Sequence, residues 1–177
     1  MKKSTYSILA GLVLIMSAFT VNNSVNWQVS KDHSIKFSGT EVDGIFKTLS
    51  GDVQLDKNDL SKASLAFEID VNSINTGNGM KNKHAVSDKW FDAKKYPSIK
   101  FNSKKVTKTT HGYDVTGTMN IHGVSKEMTI PFTFTNNTIN TKFSVNRLDF
   151  NVGTMEGMSK KVSNEIKLDV SIPLTAK

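Results

Sequence analysis

The chain has 177 residues, no cysteine and a formal charge of +7 at neutral pH, a length that suits one domain with a substantial core. Hydrophobic residues make up 37% and charged residues 22%, which excludes a disordered tail and a polytopic membrane protein. Without cysteine there are no disulfides and no thiolate metal sites, so the core and the strand pairing alone hold the fold.

The first predicted element is a leader. Lys2 and Lys3 precede an apolar run over residues 8–21, and polar Asn22-Asn23-Ser24 follows. This three-part form predicts a signal peptide over residues 1–21, its cleavage site left open, and an exported protein. The run is shorter than the ~18 apolar residues of a membrane span; an uncleaved anchor is the alternative. Loss of Lys2 and Lys3 takes the charge from +7 to +5, almost all of it lysine, with Arg147 the single arginine. Nucleic-acid readers lean on arginine, so no nucleic-acid partner is expected. A solvated surface is the simplest reading, and weak contact with anionic membrane surfaces is the other.

Strands follow. From Trp27 the odd positions run Trp27, Val29, Lys31, His33, Ile35, Phe37, the period of a half-buried strand with two polar residues on its apolar side. A second strand continues from Gly44 through Phe46 to Leu55, and a third carries Leu65, Phe67, Ile69 and Val71 on one face. Alternation then lapses until Ile99. A connection this long is a lid, a binding loop or a segment with its own helix; short helical turns are predicted around residues 78–86 and 88–95. Ile99 and Phe101 open a fourth strand. Tyr113, Val115, Gly117, Met119 and Ile121 share one face of a fifth, and Met128, Ile130, Phe132 and Phe134 one face of a sixth. Asn136-Asn137 reads as a turn, Ile139, Phe143 and Val145 mark a seventh strand, and residues 162–174 an eighth.

Eight strands joined mostly by hairpins predict an all-β fold, an eight-stranded antiparallel barrel with a short helical insertion between strands three and four. Gly44, Gly51 and Gly117 fall where glycine bends a strand at a barrel corner. The polar faces carry too many charges, for example Glu165, Lys167 and Asp169, to fit inside eight strands. The apolar face therefore points inward.

The order and spacing of several pieces resemble the YceI-like family of periplasmic proteins from Asn26 to the C-terminus. These pieces are Trp27 with Asp32-His33-Ser34-Ile35-Lys36-Phe37, then Gly44-Ile45-Phe46, Ile69-Asp70 and Ser73-Ile74-Asn75-Thr76-Gly77. His84, Trp90-Phe91-Asp92 and Lys95-Tyr96-Pro97 follow, then Ile121-His122-Gly123-Val124-Ser125-Lys126, Asn146-Arg147-Leu148-Asp149-Phe150 and Ser163-Asn164-Glu165-Ile166. The resemblance implies a lipocalin-like barrel domain over residues 26–177 that binds polyisoprenoids or other long-chain lipids in its lumen. Ala85 stands where the family commonly has leucine, and Phe150-Asn151-Val152 where it often has an earlier glycine.

Candidate ligand-binding residues are Phe37, Phe67, Ile69, Phe101, Val115, Met119, Phe132, Phe143, Leu168 and Val170 on the inner face, with Trp90 and Phe91 above them. A solid core without a lumen is the competing reading. Met80, Val86, Trp90, Phe91 and Tyr96 are expected to form a plug over one barrel end. His33, His84, Arg147 and Asp149 are candidates for a polar headgroup; an internal Arg147–Asp149 pair bracing the barrel is the alternative, since inward charges need partners. Met155 and Met158 read as a pliable mouth loop. The four histidines are scattered and no catalytic or nucleotide-binding motif occurs, so no metal, cofactor or catalytic residue is expected. A small enzyme acting on an isoprenoid or quinone-like lipid, and a stress-protective envelope protein, stay open. So does the oligomeric state, a homodimer included.

Overall fold

The computed structural model describes residues 26–154 and 156–177. The predicted leader, Met155 and the side chain of Met158 lie outside the described residues, and with them the pliable-loop expectation. The strands are β1 (Asn26–Val29), β2 (Ser34–Gly39), β3 (Val42–Phe46), β4 (Leu49–Asp56), β5 (Asp59–Asp70), β6 (Ile74–Asn75), β7 (Ser98–Thr109), β8 (Gly112–Ile121), β9 (Val124–Thr135), β10 (Thr138–Asn146) and β11 (Glu165–Ala176). A short helix, α1 (Gly79–Ala85), lies between β6 and β7.

Every pairing is antiparallel, and β1 pairs with both β4 and β11 to close the sheet. The barrel has eight strand lines, three of them interrupted. β1 and β2 both run along β11, while β3 and β4 follow β2 and β1 in turn. β5 and β6 flank β4 and β3. The alternation from Trp27 to Phe37 predicts one unbroken strand, and here the structure corrects it. The chain turns outward at 30–33 and leaves Lys31 exposed, because an unpaired ammonium is costly on the inner face. The final line starts at Glu165 rather than Val162, after a 3-10 turn at Gly157–Lys161. Residues 88–95 form successive turns without a regular helix, with Asp92 in the left-handed region.

Turn chemistry sets the register. The β8–β9 hairpin turns through His122 and Gly123 (φ 52° and 75°), the β9–β10 hairpin through Asn136 and Asn137 (φ 50° and 56°). Two successive positive φ values give the turn whose twist matches that of the flanking strands. At this Asn-Asn end the interior is packed solid. Val53, Leu55, Val106, Phe134 and Leu174 are buried there, with Trp27 edge-on to Phe134 at 5.9 Å and Tyr113 stacked on Phe132 at 5.3 Å.

Candidate functional site

The other half of the barrel is hollow. A cavity of about 440 Å³ runs from Phe132 and Ile172 up to a mouth between the β2–β3 turn, α1 and the 3-10 turn Gly157–Lys161. That volume lies well inside the range of small-molecule sites. All twelve predicted apolar residues stand on its wall: Phe37, Phe67, Ile69, Trp90, Phe91, Phe101, Val115, Met119, Phe132, Phe143, Leu168 and Val170. The inner faces also contribute Ile35, Leu49, Leu65, Ile99, Ile130 and Ile139, which the same period-2 reading places inward but does not assign to a cavity.

Glycines explain why the upper half stays open. Phe37 pairs across the ladder with Gly44, and Phe67 with Gly51. A Cβ built on Gly44 would lie 2.6 Å from the tip of the Phe37 ring, and one on Gly51 2.6 Å from the Phe67 ring. At Gly117 it would lie 2.6 Å from the tip of Phe101 and 2.5 Å from the Asn102 carbonyl oxygen. Each ring thus reaches over a neighbouring strand's bare backbone. Laid along the wall, the rings line the lumen without filling it.

The insertion forms one side of the mouth. Asn78 caps α1, its side-chain oxygen accepting from the N–H groups of Met80 (2.9 Å) and Lys81 (3.1 Å), and Asn82 ties the helix back to Thr76. Lys81 Nζ donates to the Glu41 carbonyl oxygen at 3.5 Å, spanning the mouth from helix to β2–β3 turn. Trp90 and Phe91 reach the cavity, and Phe91 packs edge-on against Phe46 at 6.1 Å. The other three expected plug residues do not reach the cavity. Met80 is 70% exposed on the outer side of α1. Tyr96 leaves the cavity to sit on Gly123 and meets His122 edge-on at 4.6 Å, strapping the insertion to the β8–β9 hairpin. Val86 packs against the core beneath without reaching the cavity.

Arg147 holds the other side. It is 4% exposed and starts a 3-10 turn, Arg147–Phe150, capped by Asn146. Its guanidinium donates to the carbonyl oxygens of Val152 (2.8 Å), Ser159 (3.1 Å), Ser163 (3.1 Å) and Val162 (3.2 Å), and to Asn164 Oδ1 (3.3 Å). It also lies 5.3 Å from the Trp90 ring centroid, a cation–π contact that joins the two sides of the mouth. Burial pushes its pKa below the usual arginine value, from a starting point so high that the charge persists at neutral pH.

The expected Arg147–Asp149 pair is not formed. The 3-10 turn swings Asp149 to the outside, where it meets Lys126 Nζ at 3.4 Å. His33 lies away from the cavity, its ring nitrogens 3.0 Å from the Ser30 carbonyl oxygen and 3.2 Å from that of Lys47. It bridges the interruptions of two adjacent strand lines. Of the four polar candidates, His84 and Arg147 border the cavity, joined by Lys81, Lys161, Glu41 and Asp43 on the rim. The rim lysines and acids sit in turns and helix, where periodicity is silent; the loss of alternation is the one signal that marked this region.

Comparison with known proteins agrees with this architecture. A model of the YceI-like domain matches residues 20–174. A UPF0312 protein of Vibrio parahaemolyticus is 32% identical over 112 residues, 63% of this chain, and the match spans 57% of that relative's length. The crystal structure of Burkholderia cenocepacia BcnA is similar with a TM-score of 0.75 at 28% identity, over 83% of this chain and 99% of that one. A polyisoprenoid binding domain from Saccharophagus degradans shares the fold, with a TM-score of 0.66 at 17% identity over 86% of this chain and 99% of its own. With the family model matched over most of its length and a closed barrel of eight strand lines, this chain belongs to the YceI-like family.

Proposed function

We propose that this chain is an exported lipid-binding protein that holds a polyisoprenoid or other long-chain lipid in the barrel lumen, for sequestration or transport, without reacting on it. The observation that carries this reading is the cavity itself: about 440 Å³, walled mostly by aliphatic and aromatic side chains, with Thr141 on the wall and the charged groups gathered at the rim. Kinship of fold with a polyisoprenoid binding domain supports it. Transfer of one CH₂ from water to such a wall is worth ~0.8 kcal/mol, against an association cost of ~4–15 kcal/mol. About five buried CH₂ groups offset the low end of that cost and about nineteen the high end, so firm binding needs a long chain. His84, Lys81 and Lys161 stand where a headgroup would emerge.

Titration of delipidated protein with prenols and fatty acids of graded length tests the proposal. Affinity is expected to rise about fourfold per added CH₂ until the lumen is full and then to level off. Absent binding, or affinity indifferent to chain length, would overturn it.

Trp90 gives a second test. Its indole lies between the cavity and Gly153, where a Cβ would stand 2.9 Å from the ring. Trp90→Ala is expected to speed ligand release about tenfold or more, read by stopped-flow probe displacement, at a stability cost of only ~1 kcal/mol, because the ring is half-buried. A loss of stability with release unchanged would make the indole ordinary core.

A further inference from the structure

We infer that the protein docks mouth-first on an anionic lipid bilayer, Met80 entering the interface while the lysines of α1 and of the turn Gly157–Lys161 meet the headgroups. This rests on the lumen holding a lipid, but its surface is the outer face of the mouth, not the cavity wall. Met80 is the large hydrophobic side chain that stands exposed among the described residues, at 70%. It sits on a helix, Gly-Met-Lys-Asn-Lys-His-Ala, that carries Lys81 and Lys83 and no acid. Facing it across the mouth, the turn Gly157–Lys161 ends in Lys160 and Lys161, again without an acid. Lys83 and Lys160 are exposed and take part in no ion pair among the described residues.

Opposing charges are present and fewer. Over residues 76–96 five lysines stand against Asp88 and Asp92, while Glu41 and Asp43 lie on the β2–β3 turn and Glu156 precedes the second lysine pair. Among the described residues the far end of the barrel offers no counterpart, and Lys177 there is paired with Asp52. Its turns are Asp56-Lys57-Asn58-Asp59, Thr110-His111 and Asn136-Asn137, without a basic excess, and they cover the solid half of the interior. The molecule is therefore polarised along the barrel axis, with basic charge and exposed apolar surface both beside the opening. Each lysine near an anionic leaflet strengthens binding about fivefold, and one shallow apolar side chain adds a reversible anchor. A lipid too insoluble to cross water would pass directly between bilayer and lumen.

The test is co-sedimentation of the full chain with phosphatidylcholine vesicles, with and without phosphatidylglycerol, at low and high salt. A parallel measurement follows binding of a monomeric prenol probe without vesicles. Met80→Asp and the double variant Lys83→Glu/Lys160→Glu change residues that do not line the cavity. The unsubstituted chain is expected to sediment with phosphatidylglycerol vesicles at low salt and to be released by high salt. The lysine double variant is expected to bind those vesicles at least tenfold more weakly and Met80→Asp several-fold, both with unchanged probe binding. Sedimentation indifferent to phosphatidylglycerol, or variants that sediment like the parent, would overturn docking while probe binding kept the lumen reading intact. Docking with the expected variant effects but no probe binding would support the surface and overturn the lumen.

Discussion

Arg147→Ala is expected to lower the free energy of unfolding by about 3–5 kcal/mol. The guanidinium donates to the carbonyls of Val152, Thr154, Ser159, Val162 and Ser163 and to Asn164 Oδ1. Truncation leaves several of these acceptors without a donor, at ~1–3 kcal/mol for each that stays out of water. It also removes the cation–π contact to Trp90, so both sides of the mouth loosen together. In urea the midpoint falls with the slope unchanged, and on heating Tm drops by roughly 10 °C for a domain of this size. Arg147→Lys recovers only part of the loss, because a compact ammonium cannot span carbonyls that a planar fork reaches at once. A loss under ~1 kcal/mol would show that water replaces the guanidinium freely and that the contacts do not brace the mouth.

Gly117→Val is expected to weaken long-chain lipid binding about a hundredfold. The new side chain takes the space that the Phe101 ring occupies, its Cβ 2.6 Å from the ring tip, so the ring must swing into the lumen. A phenyl group there displaces about three to four CH₂ groups of ligand, at ~0.8 kcal/mol each. Overpacking against the Asn102 carbonyl also lowers stability by about 1–3 kcal/mol. The companion Gly117→Val/Phe101→Leu separates the two effects: a smaller side chain at 101 clears the lumen, and binding returns while part of the stability loss stays. Unchanged affinity in the single variant would mean that ring placement does not set the room for ligand.

Period-2 alternation carries the barrel. Eight runs with an apolar face, and turns such as Asn136-Asn137 whose residues tolerate positive φ, leave few other ways to bury that face. Alternation is blind to where a line breaks. Lys31 and His33 sit in inward register, and the cost of placing them inside shows as an outward turn at 30–33 rather than as an inward charge. It is equally blind to whether an interior is full. The same aliphatic code builds the solid half around Leu55 and the hollow half around Phe101; the difference lies in which glycine faces which phenylalanine, a relation that exists only once register is known. Arg147 reads as inward and is inward. Its partners could not be read, because residues 147–150 leave the strand period for a 3-10 turn that carries Asp149 to Lys126 and sends the guanidinium to carbonyls as far away as Ser163.

Occupancy of the hollow half of the barrel by a long-chain lipid is directly measurable. The most direct measurement is native mass spectrometry of the full chain purified without detergent, followed by organic extraction of whatever it carries. A protein–ligand complex at one-to-one stoichiometry is expected, its added mass that of a prenyl or fatty-chain molecule and its abundance lower in Gly117→Val. A protein that emerges empty and also fails to take up added prenol or fatty-acyl chains would contradict it.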